Sequence, residues 1–393
     1  MKSSRRTAAA LVVLLSAAAC ASAQAASVRI YGLVNTGLYY TNAQGGDSRL
    51  KMAGIGETPW DSSIHLEGKE DLGGGRYIKF NLGTTFATDS GSFANSSVMF
   101  DASRIMIGND SVEFAFGRIG GFTFATEPYS VYTRLNANMT AMQLTGIAPA
   151  NISYRPLRAT NAVAVATPMG KKGAYAQALY SNGDVNAGLD EEKSYDWSDR
   201  MHVFQAAAGW VGEQLRWGAV YSREMQSNHA PQAERRHATQ ALHFIASYDF
   251  GGPALALVAF AGWDMWRIGG MQDLNQMLAQ GSSAADLAQG SSLMNRSCRG
   301  LDAQSAILTG RYPMGPHQFS FSLGYLQGSW KGVQADVKHA DGSLWQAGLA
   351  YRYYFSKKTN WYSAVSYADG NRLFGEVARF NQVMATTGLA VSF

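Results

Sequence analysis

The residues most able to do chemistry are the seven histidines, and their spacing argues against it. His237 and His243 lie six apart in one extended stretch, too far to share a metal ion, and no H-E-x-x-H pair occurs. There is no G-x-S-x-G nucleophile turn and no phosphate-cradling glycine loop. The acids Asp184, Asp190, Glu191, Glu192, Asp196 and Asp199 could hold divalent cations. They lack the spacing of a built calcium loop, so they read as a solvated segment. No catalytic residue, cofactor or metal site is therefore expected. What remains is fixed charge. Arg29, Glu67, Lys79 and Arg104 sit in or beside alternating stretches, and Glu127 and Arg134 sit in a long connection that follows them. Charges placed around a water-filled passage bias the ions that cross it without any reaction.

The elements that carry these charges alternate with period two. In "RYIKFNLGTTF", Ile78, Phe80, Leu82 and Phe86 face one way, while Lys79, Asn81, Gly83 and Thr85 face the other. In "LWQAGLAYRYYF", Trp345, Leu349, Tyr351 and Phe355 oppose Gln346, Gly348, Ala350 and Arg352. Short connections ("LGGG", "ND", "MGKKG", "GEQ", "GGP", "GPH", "KKTN") alternate with long ones near 43–61, 90–98, 119–158, 184–200, 227–237, 269–303, 331–342 and 370–381. Seven short and eight long connections imply sixteen strands. Strands of that number, with turns at one end and loops at the other, are expected of an all-β, 16-stranded antiparallel transmembrane β-barrel. Lipid offers no hydrogen-bond partners, so such a sheet must close on itself. The apolar face then meets lipid and the polar face lines a lumen. Paired aromatic residues near strand ends, such as Tyr39 with Tyr40 and Trp361 with Tyr362, suit the two interface girdles.

The start of the chain reads as a secretory signal peptide over 1–23, with cleavage after Ala23 or Ala25. A lipoprotein signal ending at Cys20 is the rival, and Ala17 stands where that signal normally has a leucine-like residue. One transmembrane domain is then expected over 24–393. Without Lys2, Arg5 and Arg6 the chain carries 30 basic and 29 acidic residues, with no basic run for nucleic acid. Cys298 alone would remain, so no internal disulfide framework is expected. After the leader no apolar run approaches the ~18 residues of a membrane helix.

Several stretches carry a resemblance to a known family. "SVRIYGLVNTGLYY" (27–40) resembles the first strand of the trimeric general porins of Gram-negative bacteria, especially β-proteobacteria. "SSIHLEGKEDLGGGRYIKFNLGTTFATDSG" (62–91) resembles their second hairpin, and "YRYYFSKKTNWYSAVSYADG" (351–370) a late hairpin. "FAFGRIGGF" (114–122) is similar to the strand that enters their inward-folded third loop, here 119–158. "TTGLAVSF" is similar to their closing strand. The resemblance implies a homotrimer of outer-membrane barrels passing ions and small hydrophilic solutes by passive diffusion, each constricted by the third loop. It also implies contact with outer-membrane lipid and lipopolysaccharide, and an assembly signal at Leu389, Val391 and Phe393 read by the barrel-assembly machinery.

The constriction departs from the family pattern. Ser63 and Glu67 replace residues that are usually basic, and the third loop has one acid, Glu127, beside Arg134, Arg155 and Arg158. The expected constriction pairs Glu127 and Arg134 with Lys79, Glu67, Arg29 and Arg104 on the wall. A solute-specific channel of the same fold is the alternative function. An outer-membrane enzyme would need a catalytic set at the barrel rim, and none is found. The repeat "LAQGSS" at 278–283 and 287–292 suggests a short helical insertion or a low-complexity loop.

Overall fold

The computed structural model describes residues 27–43, 48–54, 58–93, 100–123, 129–137, 158–183, 201–225, 237–265, 293, 296–372 and 379–393. The expected leader, Glu127, Arg155, the acidic segment around 184–199 and the "LAQGSS" repeat lie outside the described residues.

Every strand pairs antiparallel with its neighbours, from β1 (Ser27–Ala43) to β17 (Arg379–Ser392). The last strand returns to the first, with Thr36 opposite Leu389 and Val34 opposite Val391. β2 (Arg49–Met52) and β3 (Ser62–Gly73) both pair with β1, one above the other. Together they fill a single place around the wall, which makes a closed 16-stranded barrel. Closure gives each spanning strand two hydrogen-bonding neighbours, which a membrane sheet requires.

Alternation fixes which side meets lipid. In β12 (Ala254–Met265), Leu255, Leu257 and Trp263 are exposed, while Ala254, Ala256, Val258 and Phe260 between them are buried. The same phase leaves Phe114, Phe116, Trp217, Phe244, Leu323, Trp345 and Leu349 on the outside. An apolar exterior of this extent would drive a soluble protein to aggregate, and in a bilayer it is the solvated face. Near the short turns the outer aromatic rings touch one another. Tyr351 lies 5.3 Å from Phe319 and 5.7 Å from Trp361, and Tyr353 lies 5.1 Å from Phe355. Amphipathic rings at that level form an interface belt.

The seven short connections fall where turn chemistry placed them. Between β3 and β4 (Arg76–Phe86), Gly73, Gly74 and Gly75 all adopt positive φ, and Asp71 Oδ1 accepts from Gly73 N at 2.8 Å. Three consecutive left-handed residues admit little but glycine. At the seam, Phe393 N donates to Gly32 O at 3.1 Å, and the Phe393 ring lies over Gly32, where a Cβ would come within 2.7 Å of Cζ. Leu389, Val391 and Phe393 point outward and are about half exposed.

The first long connection differs from expectation. Residues 43–61 contain the short strand β2, and 58–60 turn inward rather than outward.

Candidate functional site

The lumen face of the early strands gathers the charges. Arg29 and Glu67 are cross-strand partners on β1 and β3, bridged by Nη2 and Oε1 at 2.8 Å. Arg29 also lies over the ring of Tyr31, which stacks on His65 at 5.0 Å. Lys69 and Lys79 oppose each other directly on β3 and β4. Like charges in that position repel, and two features offset the repulsion. Tyr77 presents its ring to both ammonium groups, at 4.9 and 4.7 Å, and Lys79 Nζ meets Glu113 Oε2 at 2.5 Å. Arg104, on β5 (Ala102–Gly108), pairs in register with lumen-facing Asn81 and donates from Nη2 to its Oδ1 at 3.0 Å. Its facing, open in the sequence, is therefore inward.

After β6 (Glu113–Gly120) the described residues 121–123 and 129–137 lie on the inner side of the wall. Phe122 N donates to Gln205 Oε1 on β9 (His202–Val211) at 2.8 Å. Ser130 caps the single turn α1 (Val131–Arg134), accepting from Thr133 N at 3.3 Å. Gln177 Nε2 on β8 (Gly173–Ser181) donates to Tyr129 O at 2.7 Å, and Ser247 Oγ on β11 (Thr239–Asp249) donates to Leu135 O. Gln177, Gln205 and Ser247 all sit on the lumen phase of their strands, opposite exposed Phe204, Phe244 and Tyr248. Phe122, Val131, Tyr132 and Leu135 join one buried cluster with wall residues Leu179, Val220, Ile245 and Val258. The segment is thus pressed against the β8–β12 wall by apolar contact and pinned by side-chain amides and hydroxyls.

The sequence of the wall and the profile of a known family now converge. The profile of the Gram-negative porins matches residues 7–373. The chain belongs to the Gram-negative porin family. An outer membrane porin protein of Bordetella pertussis is 24% identical over 364 residues, covering 88% of this chain and 90% of its own. Among solved structures, the anion-selective porin from Comamonas acidovorans overlays with TM-score 0.62 at 19% identity, covering 94% of this chain and 100% of that one. The OmpT outer membrane protein of Vibrio cholerae, in its trimer form, overlays with TM-score 0.57 at 10% identity, covering 94% and 100%. This porin is an outer-membrane channel for passive diffusion of solutes, not an enzyme.

Within the porin, the expected constriction residues separate into two groups. Arg29, Glu67, Lys79 and Arg104 share the lumen face of β1–β5. Arg134 stands apart from them and is nearly buried. Its Nη2 donates to Thr167 O at 2.5 Å, its Nη1 to Pro168 O at 3.3 Å, and its guanidinium lies 4.7 Å over Tyr175. This arginine anchors α1 to a short turn, and the structure does not bring it to Lys79 or Glu67. Arg158 lies 3.9 Å from Asp101.

Sequence reasoning missed Glu113. Besides Lys79, this carboxylate accepts from Tyr77 OH at 2.7 Å and Tyr129 OH at 2.6 Å, and it is 3% exposed. Burial, reinforced by the carboxylate beside it, raises the Tyr129 phenol above its ordinary range, so it stays a donor. The inward phase of Glu113 was readable from its alternation with Phe114 and Phe116. Its meeting with a tyrosine in the following loop has no local signal.

Proposed function

We propose that this porin passes ions and small hydrophilic solutes through a bore narrowed by the 119–158 segment, with a preference for anions. The observation that carries the reading is the triple attachment of that segment to lumen-facing Gln177, Gln205 and Ser247. Beyond the turn-bound Asp71, the lumen face of β1–β6 carries Arg29, Arg49, Lys51, Lys69, Lys79 and Arg104 against Glu67 and Glu113. An excess of cations along a low-dielectric wall raises the local anion concentration. Arg29, whose side chain stays 66% exposed beside Glu67, is open to a passing ion. Glu127 and Arg134 belong to the segment itself, the latter as its anchor.

The test is a planar-bilayer recording in a salt gradient. Arg29→Glu is expected to move the reversal potential toward cations, and an unchanged potential would falsify this assignment. Liposome swelling with a series of sugars separates a general pore from a solute-specific one. A size-only trend supports the first, and one saturable outlier supports the second.

The same reading includes a homotrimer, which the trimer form of the Vibrio cholerae protein supports by analogy of fold. It includes a signal peptide over 1–23 removed before assembly, a rim in contact with lipid and lipopolysaccharide, and recognition of Leu389, Val391 and Phe393 by the barrel-assembly machinery. Cross-linking in detergent is expected to give trimers and no larger species.

A further inference from the structure

Met52 pairs with Leu38 and Ser63 with Leu33, so only residues 34–37 of β1 face the chain between them. Residues 58–60 turn into the lumen, and the wall is built to receive them. Where the partner strand leaves the ladder, the backbone of Asn35 would be left unpaired at membrane depth, which lipid does not tolerate. Ser62 Oγ replaces the missing partner, accepting from Asn35 N at 2.8 Å and lying 3.0 Å from Asn35 O. Thr88 Oγ1 donates to the same carbonyl at 2.8 Å. The Asn35 side chain then holds the inward segment. Its Nδ2 donates to Trp60 O at 2.7 Å, and its Oδ1 accepts from Tyr362 OH at 2.8 Å.

Trp60 is thereby set against β15 (Asp341–Tyr354) and β16 (Thr359–Asn371), on a wall distant from the one that holds α1. Its ring packs edge-on to Tyr362 at 6.0 Å and covers the guanidinium of Arg352 at 4.2 Å. Arg352 is 7% exposed and, among the described residues, touches no acid. Its Nη1 donates to Tyr354 OH at 2.6 Å, while Nε and Nη2 have no acceptor among the described residues. A cation without counter-charge in a low-dielectric wall focuses its field into the passage. The guanidinium fork matches a carboxylate, and an indole matches a flat apolar ring.

We infer that Trp60 and Arg352 form a second selecting element of the bore, retaining anions that carry a flat apolar face, with aromatic carboxylates as the simplest class. The inference rests on the lumen being the permeation path and is independent of the 119–158 segment. Because the unspent donors lie behind the indole, a carboxylate reaching them displaces the ring edge. Retention therefore shows as discrete interruptions of current.

Single-channel recording of the full-length assembled protein tests this, with benzoate, acetate and benzylammonium as probes. Wild type is expected to show interruptions with benzoate and none with acetate or benzylammonium. Arg352→Gln abolishes them and lowers anion permeability roughly fivefold, the effect of one unit charge at about 4 Å in water. Arg352→Lys keeps the permeability ratio and loses the interruptions, since the fork is gone. Trp60→Ala raises conductance and removes the difference between benzoate and acetate. Wild-type behaviour in both Trp60→Ala and Arg352→Lys overturns the inference, as does equal interruption of wild type by benzylammonium. These two variants suffice should Arg352→Gln fail to assemble. Arg29→Glu leaves the benzoate interruptions in place, so the two readings fail separately.

Discussion

Glu113 holds together groups that its sequence neighbours give no reason to associate: Lys79 from the facing hairpin, Tyr77 beside it and Tyr129 from the segment after β6. Replacing one member of a buried charged cluster leaves its partner exposed to the full desolvation penalty. Lumen water reaches Lys79, whose side chain is 25% exposed, so Glu113→Gln is expected to assemble. The variant keeps a neutral acceptor for Tyr129 and loses one negative charge. Its reversal potential should move toward anions, and it should close at lower voltage because the segment is held less firmly. Identical closure voltage in wild type and variant would remove Glu113 from the role of anchor. A second residue pair governs acid behaviour outside the membrane. Arg296 Nη2 meets Asp336 Oδ2 at 2.6 Å, and this hydrogen bond lowers the Asp336 carboxyl below its ordinary range. A depressed carboxyl contributes above its unfolded value of about 4 and loses that contribution as pH falls through the folded one. Proteolysis of the loop around Asp336 should therefore be constant from about pH 8 to 5 and rise only in stronger acid.

The elements themselves were largely legible. Alternation located the strands because lipid and lumen demand opposite chemistry on successive residues, and glycine-rich turns marked one end of each hairpin. The inward turn at 58–60 was not legible. "TPWDSS" has loop composition whichever way it bends, and its direction is set by Asn35 on β1 together with Tyr362 and Arg352, which come from the far end of the sequence. The same element gives a sharp stability test. Ser62→Ala removes the hydroxyl that serves the Asn35 backbone and should destabilise the barrel by about 1–3 kcal/mol in a urea titration in detergent. No change in the midpoint would mean another group already satisfies Asn35. At the seam, deletion of Phe393 removes two backbone contacts with Gly32 and the ring that covers it. Export to the periplasm should continue while folded trimers disappear from the outer membrane. Normal insertion of the truncated chain would sink the proposed assembly signal.

At the scale of the whole molecule, counting connections was enough for strand number, since a closed antiparallel sheet leaves no other place for seven turns and eight loops. Charge facing on the strands followed from the same alternation, which puts Arg29, Glu67 and Lys79 on the lumen side. The place of Arg134 was not readable in that way. A loop residue has no alternation to fix it, and burial against Tyr175 turned a candidate pore charge into an anchor. Porin channels are usually pictured as a rigid tube whose width is set by loops arriving from the rim. The ladder break at Asn35 separates two design variables that such a tube would couple. Residues added or removed between Met52 and Ser63 change the bore while strand number, turn positions and every surface loop stay fixed. The face seen by the outside world can therefore diversify independently of what the channel admits.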